Sequence, residues 1–283
     1  MDESWFVEKH TPHAGLTLAV RQKLFEAKSP YQSLEVLDTH EYGRMLLLDG
    51  YVMLTERDEF IYHEMIVHPA LLSHAGAERV LIVGGGDGGS VREVLKHSTV
   101  QSVHLVEIDR MVIDASREFF PAVSAKLDDA RVEVRVADGF DHVAEARDAY
   151  DVIIVDSIDP MGEAAKLFSA PFYDHAKKAL RKGGIFVCQT ESPFYNGEVV
   201  KGVLEKLGAL YAHAAPYLAH IPTYPSGLWS FCFASDAVDP HAAEPQADAP
   251  FIPRLKYYTP AMFRAAFTPP KYLSDALRPD AAE

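Results

Sequence analysis

A carboxylate stands inside a glycine turn in this chain. Val80-Leu81-Ile82-Val83 reads as a strand, and Gly84-Gly85-Gly86-Asp87-Gly88-Gly89 follows it. A helical pattern comes next, with Val91, Val94 and Leu95 on one face and Arg92, Glu93 and Lys96 on the other. Glycines at a strand-to-helix turn let the backbone approach a ligand closely. The helix start favours an anion there. Asp87 reverses that preference: it repels a pyrophosphate and attracts an ammonium. The turn is built like a nucleotide site, yet its residues predict a guest that brings positive charge.

More carboxylates follow at the ends of the next strand-like runs. Glu107 with Asp109 ends Val103–Ile108, Asp138 ends Val132–Val136, and Asp156 with Asp159 follows Val152–Val155. In open parallel sheets, ligands bind outside these carboxyl ends. Glu107 lies 20 residues past Asp87, where a carboxylate can grip both ribose hydroxyls. An acidic helix cap would explain Glu107 alone, but not its pairing with the glycine turn. Asp138-Gly139 suits an adenine amino group and equally suits a plain Asp-Gly turn. Asp156 at a buried strand tip is a candidate general base or cation clamp, whereas Asp159-Pro160 also fits a capped turn. Gly162 lets the loop beyond move as a lid. Tyr62-His63 reaches the cleft or packs between domains; Tyr224 binds a ligand or stiffens its loop. The thirteen histidines form no metal-ligand spacing and no Ser/His/Asp arrangement, so no metal is expected.

These residues need elements to carry them. Leu16, Leu18 and Val20 alternate with small or polar residues, and Leu34, Val36, Met45–Leu48 and Val52–Leu54 add short apolar runs. Asp49-Gly50 between two of them marks a type I′ hairpin, and Tyr42-Gly43 a further turn. A small antiparallel β domain is expected over residues 1–56. A helix from about Glu56 through Met65 toward Leu72 then leads into a second domain, 57–283. There, strands Val80–Val83, Val103–Ile108, Val132–Val136, Val152–Val155 and Ile185–Gln189 alternate with helices Met111–Phe119, Phe140–Ala146, Pro171–Leu180 and Glu198–Leu207. That alternation predicts an α/β, Rossmann-like, mostly parallel sheet with helices on both faces. Lys182-Gly183-Gly184 reads as a glycine C-cap. His220–Ser235 holds two more strand-like runs, and Asp236–Pro250 reads as a mobile surface loop.

Lys plus Arg is 27 and Asp plus Glu 41, a net charge of −14, which disfavours nucleic acid or an anionic membrane as partner. Cys188 and Cys232 lie in apolar runs and read as buried reduced thiols. The acidic start Met1-Asp2-Glu3-Ser4-Trp5 does not read as a signal peptide, and a cytoplasmic protein is expected.

Taken together the motifs resemble the spermidine synthases, the polyamine aminopropyltransferases. The resemblance runs over nearly the whole chain and is carried by the order of its motifs. Those are Leu48-Asp49-Gly50, Thr55-Glu56-Arg57-Asp58-Glu59-Phe60, Tyr62-His63-Glu64-Met65, the glycine turn, Val106-Glu107-Ile108-Asp109, Asp138-Gly139, Asp156-Ser157-Ile158-Asp159-Pro160 and Ile221-Pro222-Thr223-Tyr224-Pro225. It implies a β domain ahead of a methyltransferase-type domain. The donor is then decarboxylated S-adenosylmethionine, a co-substrate with no separate cofactor, and the acceptor is putrescine. The products are spermidine and methylthioadenosine, and the assembly a homodimer or homotetramer. By position, Gln32, Glu107, Asp138, Gly139 and Glu163 fall to the nucleoside, and Asp87 with Asp156 to the donor's amino group. Asp156 and Tyr62 would orient and deprotonate the attacking amine. His63, Asp159, Gln189 and Tyr224 would line the polyamine cleft, with Trp5 at its far end. Two residues depart from the family pattern: Ile158 stands where Ser or Thr is usual, and Glu163 where Pro is. A methyltransferase and a non-catalytic polyamine-binding protein are the competing readings. Asp87 argues against the first, because S-adenosylmethionine would bring a carboxylate to it. Asp156 with Tyr62 argues against the second.

Overall fold

The computed structural model describes residues 4–277. Ser4–Thr11 (β1), Ala14–Lys28 (β2), Ser33–Thr39 (β3), Arg44–Leu48 (β4) and Tyr51–Thr55 (β5) form an antiparallel meander in that order. Asp49 and Gly50 both take positive φ, 50° and 83°, as a type I′ turn between β4 and β5 requires. Strand β2 runs well past the short apolar alternation at its start, because its later residues gain their order from pairing with β3.

Helix α1 (Glu59–Ser73) follows and is buried from Ile61 through Leu72. Then come Arg79–Gly84 (β6), Gly89–Val94 (α2), Ser102–Glu107 (β7), Arg110–Phe119 (α3), Pro121–Ser124 (α4), Val132–Val136 (β8), Gly139–Glu145 (α5) and Tyr150–Asp156 (β9). Ala170–Ala179 (α6), Leu180–Gln189 (β10), Gly197–Gly208 (α7), His213–His220 (β11) and Leu228–Ser235 (β12) complete the sheet, and Pro260–Ala266 (α8) and Lys271–Ala276 (α9) close the described chain.

The seven-stranded sheet has the order β11-β12-β10-β9-β6-β7-β8. Strands β8, β7, β6, β9 and β10 run parallel, while β12 is antiparallel to both its neighbours. Both faces are covered. Ile82, Leu105, Ile154 and Val187 point into one apolar cluster, and Leu81, Val106, Ile153 and Phe186 into the other. That is the two-residue period of strands buried on both sides. The chain builds outward from β6 through β7 to β8, then returns to lay β9 on the other side of β6. The topological switch point therefore lies between β6 and β9, where such sheets hold ligands. The N-terminal sheet covers this end by packing Leu34, Leu46 and Leu54 against Val112, Ala115 and Phe120 of the α3–α4 region.

Two sequence expectations need correction. Lys182-Gly183-Gly184 does not cap a helix: α6 ends at Ala179, and these residues form an irregularity inside β10, with Gly183 at φ 84°. The stretch Asp236–Pro250 lacks regular structure and lies at the surface as expected, but it is anchored at a few points. Pro240 and Pro245 are buried, and the Gln246 amide donates to the Leu72 carbonyl at 2.9 Å.

Candidate active site

One cavity of about 590 Å³ opens at the switch point, between the carboxyl ends of the parallel strands and the N-terminal sheet. Strand register makes the centre of the site. Gly84 of β6 pairs directly with Asp156 of β9, which brings the glycine turn against the Asp156 backbone. A Cβ at Gly84, whose φ is 82°, would lie 2.2 Å from the Asp156 carbonyl oxygen. A Cβ at Gly89 would enter the His63 ring at 2.3 Å. Close approach requires both glycines, and at Gly84 the positive φ requires it as well.

Asp87 lines the cavity and is not turned to bulk solvent; its side chain is 16 % exposed. Its Oδ1 accepts the Gly89 amide at 2.6 Å and faces His63 Nε2 at 3.3 Å. Burial opposes ionisation of Asp87, but the charge and hydrogen bond of His63 outweigh it and hold the carboxyl low. Asp156 is pushed the other way, by burial first and by the charge of Asp87 second. Ser90 Oγ donates to Asp156 Oδ2 at 2.6 Å, and Tyr62 is its second hydroxyl partner. Two neighbouring carboxylates are thus held in opposite states, one charged and one inclined to carry a proton.

On the nucleoside side, Glu107 Oε2 accepts the Gly86 amide at 3.2 Å and Oε1 the Asp109 amide at 2.8 Å. Burial lifts its carboxyl to about 7. Gln32 Nε2 donates to Asp109 Oδ2 at 3.0 Å, so the β2–β3 loop is tied to the start of α3. Asp138 caps α5 through the Phe140 amide, at 2.8 Å. Its other oxygen meets Lys166, whose Nζ also reaches Glu163 at 2.9 Å. Lys166 and Glu163 belong to a 3-10 segment, Gly162–Phe168, which arches over this end. Ile158, at the loop's entry, packs on the apolar cluster of the N-terminal sheet.

At the opposite end, Gln189 Nε2 donates to the Ser157 carbonyl at 3.2 Å, and its Oε1 accepts the Glu191 amide at 2.8 Å. Asp159 interacts with Glu191, and burial together with that second carboxylate raises Asp159 to about 8. Glu8 from β1 lies near this end, its carboxyl raised by burial to about 7. Tyr224, Tyr62 and Trp229 form the apolar wall: the Tyr224 ring is 5.9 Å from Tyr62 and 4.7 Å from Trp229. Tyr224 Oη donates to the Met53 carbonyl at 2.5 Å. Asp58 anchors the same loop by accepting from the Thr223 amide at 3.1 Å and its hydroxyl at 2.7 Å.

Gln32, Tyr62, His63, Asp87, Glu107, Asp138, Gly139, Asp156, Asp159, Glu163, Gln189 and Tyr224 all line this one cavity. Trp5 does not. It is 55 % exposed, beside Thr17, Leu18 and Tyr42 on the N-terminal sheet: it stands three residues before Glu8 on β1, on the other face of the strand from the one that carries Glu8 to the cleft. Sequence reasoning missed Glu8, Glu59, Ser90, Lys166 and Glu191. Glu191 takes a positive φ of 75°, a backbone feature without a local sequence mark, and Glu8 arrives from the opposite end of the chain. Ser90 and Lys166 lie beside noted residues and could have been found from their spacing. Among the described residues, no group of His, Cys, Asp and Glu could hold a metal ion, and no helix is long and apolar enough to cross a membrane. Cys188 and Cys232 are buried free thiols on facing positions of β10 and β12.

The chain is similar to known proteins over nearly its whole length. Residues 59–243 match the family model of the spermine/spermidine synthase domain, and residues 4–56 that of the spermidine synthase tetramerisation domain. A polyamine aminopropyltransferase of Shouchella clausii is 47 % identical over 276 residues, covering 98 % of this chain and all of that protein. One of Bacillus subtilis is 46 % identical over 279 residues, with the same coverage. Among solved structures, a spermidine synthase in complex with the transition-state analogue AdoDATO superposes with a TM-score of 0.93 at 35 % identity, over 97 % of this chain and 94 % of that one. The spermidine synthase of Thermotoga maritima gives 0.90 at 34 %, with the same coverage.

Proposed function

Since the chain belongs to the spermine/spermidine synthase family and is a polyamine aminopropyltransferase, we propose that it joins decarboxylated S-adenosylmethionine to putrescine, with Asp156 as the general base. The observation that carries this reading is the pair of carboxylates that the β6–β9 junction brings into one cavity, Asp87 beside His63 at 3.3 Å and Asp156 beside Ser90 at 2.6 Å. Glu107 receives the ribose hydroxyls, with Gln32 beside it. Asp138 and Gly139 face the adenine under the Gly162–Phe168 lid, which Glu163 helps to latch through Lys166. Asp87 takes the donor's ammonium, a position where the carboxylate of S-adenosylmethionine would be repelled.

Putrescine threads the other half as a slender dication. Its methylenes lie along Tyr62, Tyr224 and Trp229, and its distal ammonium meets Asp159 near Glu191, Glu8 and Gln189. An alkylammonium, with a pKa near ~10, has no lone pair to attack with. Asp156, with Tyr62 aligning the nitrogen, removes that proton. The nitrogen then bonds to the carbon beside the sulfonium. The carbon–sulfur bond breaks with its electrons going to sulfur, leaving neutral methylthioadenosine and protonated spermidine. The sulfonium leaves unaided, so alignment and desolvation supply most of the rate. The match of residues 4–56 to a tetramerisation domain supports a multimer, which we read as a homodimer or homotetramer built through the N-terminal sheet; a cytoplasmic location is part of the same proposal. The division into 1–56 and 57–283 belongs to the same reading. Purified protein given both substrates should release methylthioadenosine and spermidine in equal amounts. Folded protein that releases neither refutes the assignment.

Acceptor binding should be linked to protons. Asp159 at about 8 and Glu8 at about 7 lie above their ordinary values, so they hold protons near neutrality. The stability this gives is present below about pH 4 and is lost as pH rises through 7 to 8. A bound ammonium favours the charged carboxylates and offsets that loss. Putrescine should therefore raise Tm more at pH 8 than at pH 6, with methylthioadenosine present throughout. Scanning calorimetry at the two pH values checks this, and an equal shift at both would remove Asp159 and Glu8 from the acceptor site.

A further inference from the structure

Behind Asp87 lies a buried row of charges with no part in the chemistry above. His63 Nε2 faces Asp87 Oδ1 at 3.3 Å, and His63 Nδ1 faces Glu59 Oε2 at 2.6 Å. Arg92 grips Glu59 with two hydrogen bonds, of 2.9 and 2.8 Å, and reaches Glu93 through Nε at 2.9 Å. His63 is 2 % exposed and Glu59 9 %. A neutral imidazole has one N–H and one lone pair, and a lone pair aimed at a carboxylate oxygen is repelled. With carboxylates on both ring nitrogens, the geometry calls for an imidazolium. That cation orients Asp87 through its Nε2–H, but by itself it would also repel the donor's ammonium arriving at the same carboxylate. Glu59 supplies the charge that cancels it.

We infer that Glu59 is a positioning residue that holds His63 as an imidazolium and neutralises it, leaving the charge of Asp87 available for the donor's ammonium. This rests on the reading that Asp87 meets that ammonium. The groups around His63 are Glu59 and Tyr62 on α1, Asp87 and the Gly89 backbone on the turn, Arg92 on α2, reached through Glu59, and Asp156 on β9. His63 lines the cavity wall, and in this reading it acts on the donor through Asp87, whatever contact it also makes with the polyamine. Burial works against its protonation, and Asp87 and Glu59 outweigh that, lifting it well above the usual histidine range. Glu59 itself is held down to about 2: burial resists its ionisation, and His63 and Arg92 prevail.

The test combines nitrogen-15 NMR of the His63 ring with calorimetric binding of two probes, from pH 6 to 9. Decarboxylated S-adenosylmethionine carries the ammonium; methylthioadenosine lacks it. In the wild type both ring nitrogens should stay protonated through pH 8. In Glu59→Gln the ring should titrate within the range. Donor affinity should fall about tenfold or more at pH 6 and recover as His63 loses its proton, while methylthioadenosine affinity holds. Arg92→Met removes a cation instead, so His63 should stay charged and donor affinity should not fall. A neutral His63 ring in the wild type at pH 7 overturns the inference, even if Glu59→Gln fails to fold. Equal loss of both probes in Glu59→Gln, or donor loss in Arg92→Met, also overturns it, since either outcome marks a structural role only. A charged His63 with no preference of the wild type for the donor over methylthioadenosine would instead refute the placement of the ammonium at Asp87.

Discussion

Asp156→Asn should lower kcat about 10³-fold while the donor binds nearly as before, because general-base catalysis of this kind contributes roughly 10² to 10⁴. The substitution keeps the size of the side chain and can keep the 2.6 Å hydrogen bond from Ser90. It removes the acceptor for the amine's proton. Methylthioadenosine release under saturating substrates measures kcat, and equilibrium binding measures the donor separately. Activity within a few fold of the wild type would show that another group takes the proton. Loss of donor binding to the same extent as turnover would show that Asp156 serves mainly as a clamp.

Asp87→Asn should weaken donor binding on the order of 10²-fold, since truncating one side of a buried charge pair costs about 2 to 5 kcal/mol. The variant should also lose much of its preference for the decarboxylated donor over S-adenosylmethionine, whose carboxylate no longer meets a negative group. A second effect goes with it. The charge of Asp87 helps to hold the Asp156 carboxyl high, so removing that charge lets Asp156 ionise at lower pH. The acid limb of kcat against pH should therefore move down, and the rate on its plateau should fall as the base weakens. Competition binding with the two nucleosides and a pH profile of kcat check both parts. An unchanged preference between the nucleosides would mean that donor selection lies elsewhere in the cavity.

Much of the fold was legible because strand and helix periods are local. Four of the five parallel strands hold a short, mainly apolar run and the edge strand β8 alternates valine with charge, and α3, α5, α6 and α7 fall within a residue or so of where their patterns place them. The hairpin at Asp49-Gly50 was legible for a sharper reason: two successive positive φ angles suit Asp-Gly and few other pairs. The bulge at Lys182–Gly184 was misread because a glycine cluster after basic residues marks a helix end and a strand irregularity alike. The later half of β2 was missed because its order comes from its partner strand. In the site, the motifs carried the reaction class. They did not carry Glu8 and Glu191, whose neighbours in sequence say nothing of a cavity.

The chain's residues on their own determined which chemistry is available: a carboxylate in a glycine turn, acidic groups at successive strand ends, and motifs in the order of one family. These are properties of residue type and spacing, and they survive without coordinates. Only the tertiary structure decided that Asp87 and Asp156 are neighbours, because strand order in a parallel sheet is not written in any one strand. Laying β9 beside β6 joined the two carboxylates, and packing α1 against α2 put His63, Glu59 and Arg92 behind one of them. Which carboxylate is charged follows from that burial and pairing, and neither exists until the chain has folded.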